Sequence, residues 1–322
     1  MKLSSEHLEI LAAIVDKGGL TEGATMLGKS QPSVSRIVSF LEQRIGMALF
    51  EPGRRPLVPT ELGRHLAEFG AAIHRANAQA ALTVARYREG HAGRLRVGGS
   101  PVFMDGVVSL IVAEFQQRFN DVHFEQSYGY FDEMVMALRN GSIDLAILPA
   151  QPQQVPAGMS FVPLLAGRNV IACRQGHPLM QRRDLTLADV KDCTWISPPP
   201  ESPLYRDLQR VLKTLGANRM RISFSGGTLA SMHLVLKGSD ALTILPASVV
   251  FQTRQIVATD ILPLRIDHPD RQLGLLSRRD EQPSPALAHF AEFATDRLRD
   301  LQERMDAQDA GDERGEAHFT AT

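Results

Sequence analysis

The stretch 31–45 constrains this chain more than any other, because its apolar residues fit only one local structure. Val34, Ile37, Val38, Leu41 and Ile45 recur at helical spacing. On a wheel of about 100° per residue they fall within about 50° of one direction. Pro32, Arg36, Ser39 and Gln43 point the other way, flanked by Ser33 and Ser35. Ser30 stands where an N-cap belongs, and Pro32 falls in the first turn, where a missing N–H costs nothing. Upstream, Leu8, Leu11, Ala12 and Val15 mark a first helix that stops at Gly18-Gly19. Thr21 can cap a second, running through Ala24 and Leu27, with the small Ala24 letting two helices cross closely. Gly28 permits the left-handed turn between the second and third.

The outward face of the third helix carries one Arg, several hydroxyls, an amide and no acid among its first nine residues. Such a set suits phosphates and base edges, and an Arg fork fits guanine in the major groove. After it, ALFEPGRRPLVPT (48–60) puts β-prone ends around a basic tip and predicts a hairpin. Arg54 and Arg55 there would contact phosphates or the minor groove, and Thr21 would offer helix N-terminal amides to a phosphate. Exposed Ser-rich helix faces are common, so Ser39 or Gln43 taken singly say little. Turn, helix and hairpin together point to double-stranded DNA as partner. Charge merely permits this: residues 1–90 hold 11 Lys+Arg against 9 Asp+Glu, a balance of +2, and residues 91–322 hold 24 against 27, a balance of −3.

From Thr60 the pattern changes. Leu62, Leu66, Phe69, Ile73, Ala76, Ala80, Thr83 and Tyr87 alternate spacings of four and three. Sustained repetition near 3.5 marks a helix that packs along another helix, so 61–90 is read as a linker that makes a homodimer. Beyond Gly90, strands and helices alternate: LRVGG, a helix near 107–119, VHFEQSYG, a helix at 131–140, and IDLAILPA. This βαβαβ order predicts a parallel sheet with helices on both faces. A second series from about 163 repeats the plan, which suggests two lobes with a cleft between them. The expected domains are 1–60 for DNA binding, 61–90 as linker and 91–304 as two lobes, with lobe I at 91–162 and 268–304 and lobe II at 163–267. Residues 305–322 are acidic and polar, and disorder is expected there.

Two sheet-to-helix junctions are suited to an anionic or strongly polar ligand. Gly98-Gly99-Ser100-Pro101 and Ser225-Gly226-Gly227-Thr228 each set glycines before a capping hydroxyl and a helix start, where free N–H groups and the helix dipole favour an anion. Plain capped helices would look the same.

Residues 30–63, SQPSVSRIVSFLEQRIGMALFEPGRRPLVPTELG, resemble the signature of LysR-type transcriptional regulators, and the similarity of order and length covers about 3–300. The resemblance implies a winged helix-turn-helix, a linker helix and an effector domain like a type 2 periplasmic binding protein. It implies operator contacts from Gln31 and from Ser35-Arg36, which extend the residue-based set to Ser30, Gln31, Pro32, Ser33, Ser35, Arg36 and Ser39. It also implies an effector held between the lobes by Ser100, by Ser127, Tyr128 and Gly129, and by the loop with Ser197, Pro199, Pro200 and Ser202. The two junctions add Gly99, Pro101, Gly227 and Thr228 to that set. A homotetramer follows from the family alone, and RNA polymerase is a further partner. Two departures stand out: Pro52 where relatives often carry Arg, and Gly23 where Ala is usual, which should weaken the second helix by up to about 1 kcal/mol.

An enzyme is not expected: the chain has no GxSxG, GxxxxGK[ST], HExxH or GxGxxG after a strand, and its ten His are scattered. The alternative is a solute-binding or enzymatic α/β protein whose winged helix serves protein contacts. Cys173 and Cys193 lie apart from any CxxC or His cluster, so neither metal, cofactor nor disulfide is expected. Without a signal sequence or a run of about 20 apolar residues, a cytoplasmic protein without a membrane partner is expected.

Overall fold

The computed structural model describes residues 3–54, 56–182, 184–214, 221–268 and 270–319, with side chains as far as 308. It divides into two compact units, Met1–Arg86 and Tyr87–Thr322.

In the first unit, α1 (Ser5–Lys17), α2 (Leu20–Met26) and α3 (Gln31–Ile45) pack with the start of α4 (Glu61–Arg88). Their apolar stripes meet in one core containing Ile10, Leu11, Ile14, Val34, Val38, Leu41, Leu49 and Phe50. Gly18 and Gly46 end α1 and α3 in left-handed caps. Ala24 is buried, and its neighbour Gly23 also lies close against α1: a Cβ on Gly23 would lie 2.9 Å from the Ile14 Cα. The glycine that looks like a weakness in the sequence is therefore where two helices touch. Thr21 caps nothing; α2 starts at Leu20 behind Gly19, and Thr21 sits in the first turn.

The expected hairpin is reduced to one antiparallel bridge, Phe50 with Pro59. Glu51 N–H donates to the Val58 carbonyl at 2.8 Å and Thr60 N–H to the Leu49 carbonyl at 2.9 Å. Pro52, Pro56 and Pro59 have no N–H to give, which stops a longer ladder.

The second unit opens on β1 (Ala92–Gly99), β2 (Asp121–Tyr128), β3 (Leu145–Ala150) and β4 (Met159–Ala166), joined late in the chain by β10 (Gln272–Arg278). Their order is β2-β1-β3-β10-β4. β1 runs parallel to β2 and β3, whereas β10 is antiparallel to both neighbours. The sheet is thus mixed rather than parallel throughout. Since β4 belongs to it, lobe I extends to about 166. Between β1 and β2, α5 (Pro101–Phe103) passes through a π-wound turn, Met104–Val108, into α6 (Ser109–Arg118). α7 (Phe131–Arg139) covers the other face with Met134, Val135 and Leu138 buried.

Lobe II holds β5 (Asn169–Arg174), β6 (Thr194–Ser197), α8 (Pro203–Thr214), β7 (Arg221–Ser225), α9 (Leu229–Lys237), β8 (Thr243–Pro246), α10 (Ala247–Val257) and β9 (Thr259–Ile261). β5 lies between β8 and β9, and β6 pairs in parallel with β7. Helix α10 had no counterpart in the sequence expectation. The last helix, α11, is continuous over Pro285–Phe319 and buries Leu301 and Met305, so it passes the boundary at 304 beyond which disorder was expected.

The chain crosses between the lobes twice, after β4 and before β10. Gly167 N–H donates to the Arg271 carbonyl at 3.0 Å, and Asn169 N–H to His268 Nδ1 at 3.3 Å. Buried Asp207 of α8 accepts from Asn169 Nδ2 at 2.8 Å and pairs with Arg271. One hydrophobic core runs through both lobes, joining Leu95, Phe103, Phe115 and Phe290 to Ile196, Leu229, Met232 and Val249. The lobes are in close contact at Gly106, where a Cβ would lie 2.7 Å from Val249 Cγ1.

Candidate functional site

Helix α3 presents a face without acids. Ser30 is the N-cap residue, although its hydroxyl makes no capping bond, and Gly28 takes the left-handed conformation (φ 61°) in the turn before it. Pro32, Arg36, Ser39 and Gln43 are exposed; Gln31, Ser33 and Ser35 are half-buried at the edges of the same face. Arg36 Nε donates to the Pro32 carbonyl at 3.3 Å, which leans the guanidinium toward the helix N-terminus. Glu42 is turned away, its carboxylate accepting from Leu49 N–H at 2.8 Å. Arg54 is exposed at the bridge tip and pairs with Glu51 at 3.3 Å. Arg55 lies outside the described residues.

One feature of this face escaped the sequence argument. Phe40, 46 % exposed, has the His7 ring edge-on at 5.7 Å and the Arg44 guanidinium 5.9 Å from its centroid. Its helical position beside Arg36 and Ser39 was the available signal; an apolar residue there breaks the polar pattern.

In the second unit the candidate residues gather at the carboxyl ends of two sheets. Gly99 is the register partner of Tyr128, and Gly129 N–H donates to the Gly99 carbonyl at 3.0 Å. Ser100 is buried at the N-cap of α5, with Pro101 in the first turn. Tyr128 is largely exposed and donates its hydroxyl to Asp105 Oδ1 at 2.8 Å, so it does not pack between the lobes. Ser127 Oγ is buried with no hydrogen-bond partner.

Across from them, Ser197 ends β6 and its carbonyl accepts from Gly226 N–H at 3.0 Å. Pro199 and Ser202 close a turn through Ser202 N–H to the Pro199 carbonyl at 2.9 Å, while Pro200 is exposed. Gly226 and Gly227 both have φ 81°, and Thr228 caps α9 by accepting from Ser231 N–H at 3.3 Å. The two sides meet where Tyr130 hydrogen-bonds Ser202; burial holds the phenol above its ordinary pKa, against the lowering effect of that bond. They meet again where Leu229, first residue of α9, lies 3.2 Å from a Cβ built on Gly106. Thr228 directly precedes Leu229, and Ser100 begins the helical segment that carries Gly106, so both junctions open onto elements through which the lobes touch.

Other reactive groups are quiet. Burial pushes the Cys173 thiol up to about 12 and raises Cys193 as well; both are free thiols. Among the described residues, no cluster of three or more His, Cys, Asp and Glu could hold a metal ion, and no helix is long and apolar enough to cross a membrane.

Comparison with known proteins agrees with both halves. A family model for the bacterial regulatory helix-turn-helix protein, lysR family, matches residues 5–64, and one for the LysR substrate binding domain matches 88–299. The RuBisCO operon transcriptional regulator of Allochromatium vinosum is 25 % identical over 297 residues, 91 % of this chain and 96 % of the other. The transcriptional activator protein LysR of Escherichia coli K12 is 28 % identical over 242 residues, 74 % of this chain and 76 % of the other. Among solved structures, CbnR, a LysR family transcriptional regulator, superposes with a TM-score of 0.69 at 20 % identity, covering 91 % of this chain and all of the other. CbnR in complex with its target DNA gives 0.65 at the same identity, covering 92 % of this chain and all of the other.

Proposed function

The chain belongs to the LysR family of transcriptional regulators, and from that premise we propose that it binds operator DNA through α3 under the control of a small organic anion held between its lobes. The observation that carries the first part is the acid-free exposed face of α3, with Arg36 at its centre. Ser30, Gln31, Pro32, Ser33, Ser35, Arg36 and Ser39 read or position the major groove. Thr21 reaches a phosphate from the first turn of α2, and Arg54 with Arg55 engages the backbone beside it.

Support for an anion comes from the two helix starts behind Ser100 and Thr228, each with a hydroxyl at its N-cap, which we read as facing one crease between the lobes. Gly99, Pro101, Ser127, Tyr128 and Gly129 form one wall, and Ser197, Pro199, Pro200, Ser202 and Gly227 the other. A ligand that prefers one arrangement of the lobes shifts the regulator toward it and alters the bend of bound DNA.

Within a single chain, α4 buries only Gly63, Ala67 and Gly70, while Phe69, Leu82, Val84 and Tyr87 remain more than half exposed. Apolar exposure on that scale supports a helix paired with its copy, giving a cytoplasmic homodimer that assembles further into a tetramer and works with RNA polymerase. Arg36→Ala tests the reading: operator affinity in a competitive gel shift should fall by about 1–3 kcal/mol with little change on random duplex. An unaltered affinity and footprint would remove α3 as the reading helix.

A further inference from the structure

A cavity of about 480 Å³ opens in lobe I at the end of the sheet remote from Gly99. Leu145, Leu287 and Ala291 give it an apolar floor, and Ala288 and Ser284 lie exposed on its α11 side. Its charged rim holds Arg94, Arg96 and Arg278 against Asp144 and Glu281, three guanidiniums to two carboxylates.

The rim pairs differ in kind. Arg96 is committed to the fold: its backbone N–H and Nε donate to Asp144 Oδ2 at 2.9 and 3.2 Å, and Nη1 donates to the Gly141 carbonyl. Arg278 is partly buried and donates to the carbonyls of Leu138 and Ile143, yet its carboxylate partner, Glu281, is 57 % exposed and only three residues away. Arg94 pairs at 2.6 Å with Glu125, which does not line the cavity, and is itself mostly exposed. Two guanidiniums at the rim thus hold exchangeable carboxylates above a floor of hydrocarbon. Cavities of about 300–1,000 Å³ with mostly apolar walls and a few fixed polar groups are the usual shape of small-molecule sites, and the guanidinium fork favours a carboxylate as the polar end.

We propose that this cavity is a second small-molecule site, separate from the cleft, for a compact carboxylic acid whose carboxylate displaces Glu281 and Glu125 at Arg278 and Arg94 while its apolar body rests on Leu145, Leu287 and Ala291. Its position gives it a route to the linker. Pro285, at the start of α11, packs on Gly90 so closely that a Cβ there would lie 2.7 Å from the Pro285 carbonyl carbon, two residues after α4 ends. A ligand seated against 281–288 bears on the segment that holds the exit of that helix.

Equilibrium dialysis of the purified full chain against radiolabelled hexanoate reads the site. The expected result is one saturable site per chain with a dissociation constant below about 10 mM. Ala288→Trp fills the cavity and Arg94→Glu reverses a rim charge; each should weaken binding by about tenfold or more. Uncharged hexanol should not displace hexanoate, and Ser100→Trp, in the cleft, should leave hexanoate binding unchanged. Any loss in Ser100→Trp would place hexanoate in the cleft and overturn the second site. Absence of saturable binding, or binding as tight as wild type in both cavity variants, would overturn it too. If Ala288→Trp does not fold, Arg94→Glu decides alone. None of these outcomes bears on operator binding, so this proposal fails separately from the regulator reading.

Discussion

Replacing Gly70 by Ala sets helix propensity against helix packing, and the structure decides which wins. In an exposed helix interior the change would stabilise by about 1 kcal/mol. Here the new Cβ would lie 1.9 Å from the Leu8 carbonyl oxygen and 2.4 Å from its carbon, against a comfortable separation of about 3.5 Å. The obstacle is backbone, which cannot rotate aside, so α1 and α4 must part by more than about 1 Å. The core they share, with Ile10, Leu11 and Ala67, is close-packed and does not absorb such a shift. Overpacking costs about 1–3 kcal/mol and at a backbone contact should reach the upper end. The net loss is then about 2 kcal/mol, or a fall of about 8–16 °C in the melting of a unit this size. Scanning calorimetry of the full chain resolves the transition of the N-terminal unit from the larger one. Ala72→Gly, exposed on the same helix, measures the propensity effect alone, at about 1 kcal/mol of destabilisation. If Gly70→Ala melts at or above the wild-type temperature, the close approach of α4 to α1 is wrong.

Asp207→Ala should cost about 3–5 kcal/mol in urea denaturation, because it strands Arg271 and Asn169 at the lobe crossover, while Asp207→Asn should cost less. Ser100→Trp should abolish the effector-induced gel-shift change and leave operator affinity alone; a surviving response would move the effector out of the crease. Burial holds the His233 imidazole below its ordinary 6.5, and its Nε2 is unpartnered. The unfolded chain therefore takes up the proton first: stability is full above about pH 6.5 and declines as the pH falls toward the lower folded value. His268, lowered first by burial and then by Arg168, adds the same sign. Melting curves of His233→Leu should show a shallower acid-side decline than the wild type, and an identical pH profile would count against this account.

What could be read from the sequence divides along one physical line. Patterns that repeat within a segment were legible: the stripe Val34, Val38, Leu41 fixed α3 and its outward residues, and Gly28 its turn. Close approaches between segments were not. Nothing local separates Gly70 and Gly23, which touch other helices, from Gly46, whose side faces open space and whose φ alone asks for glycine. The same limit applies to the sheet. A βαβαβ order predicts parallel neighbours, and β1 to β3 obey it, but β10 arrives from more than a hundred residues away and inserts antiparallel. It also carries Arg278, which donates to the Leu138 carbonyl in the last turn of α7 and rims the lobe I cavity. The junctions at Ser100 and Thr228 share a local signature, Gly-Gly before a hydroxyl residue at a helix N-cap, and so could be nominated from sequence, although only Thr228 makes the capping bond. The cavity draws its walls from β1, β3, β10 and α11, none of which carries a motif for it, and only tertiary structure brings Arg94 and Arg278 to one rim.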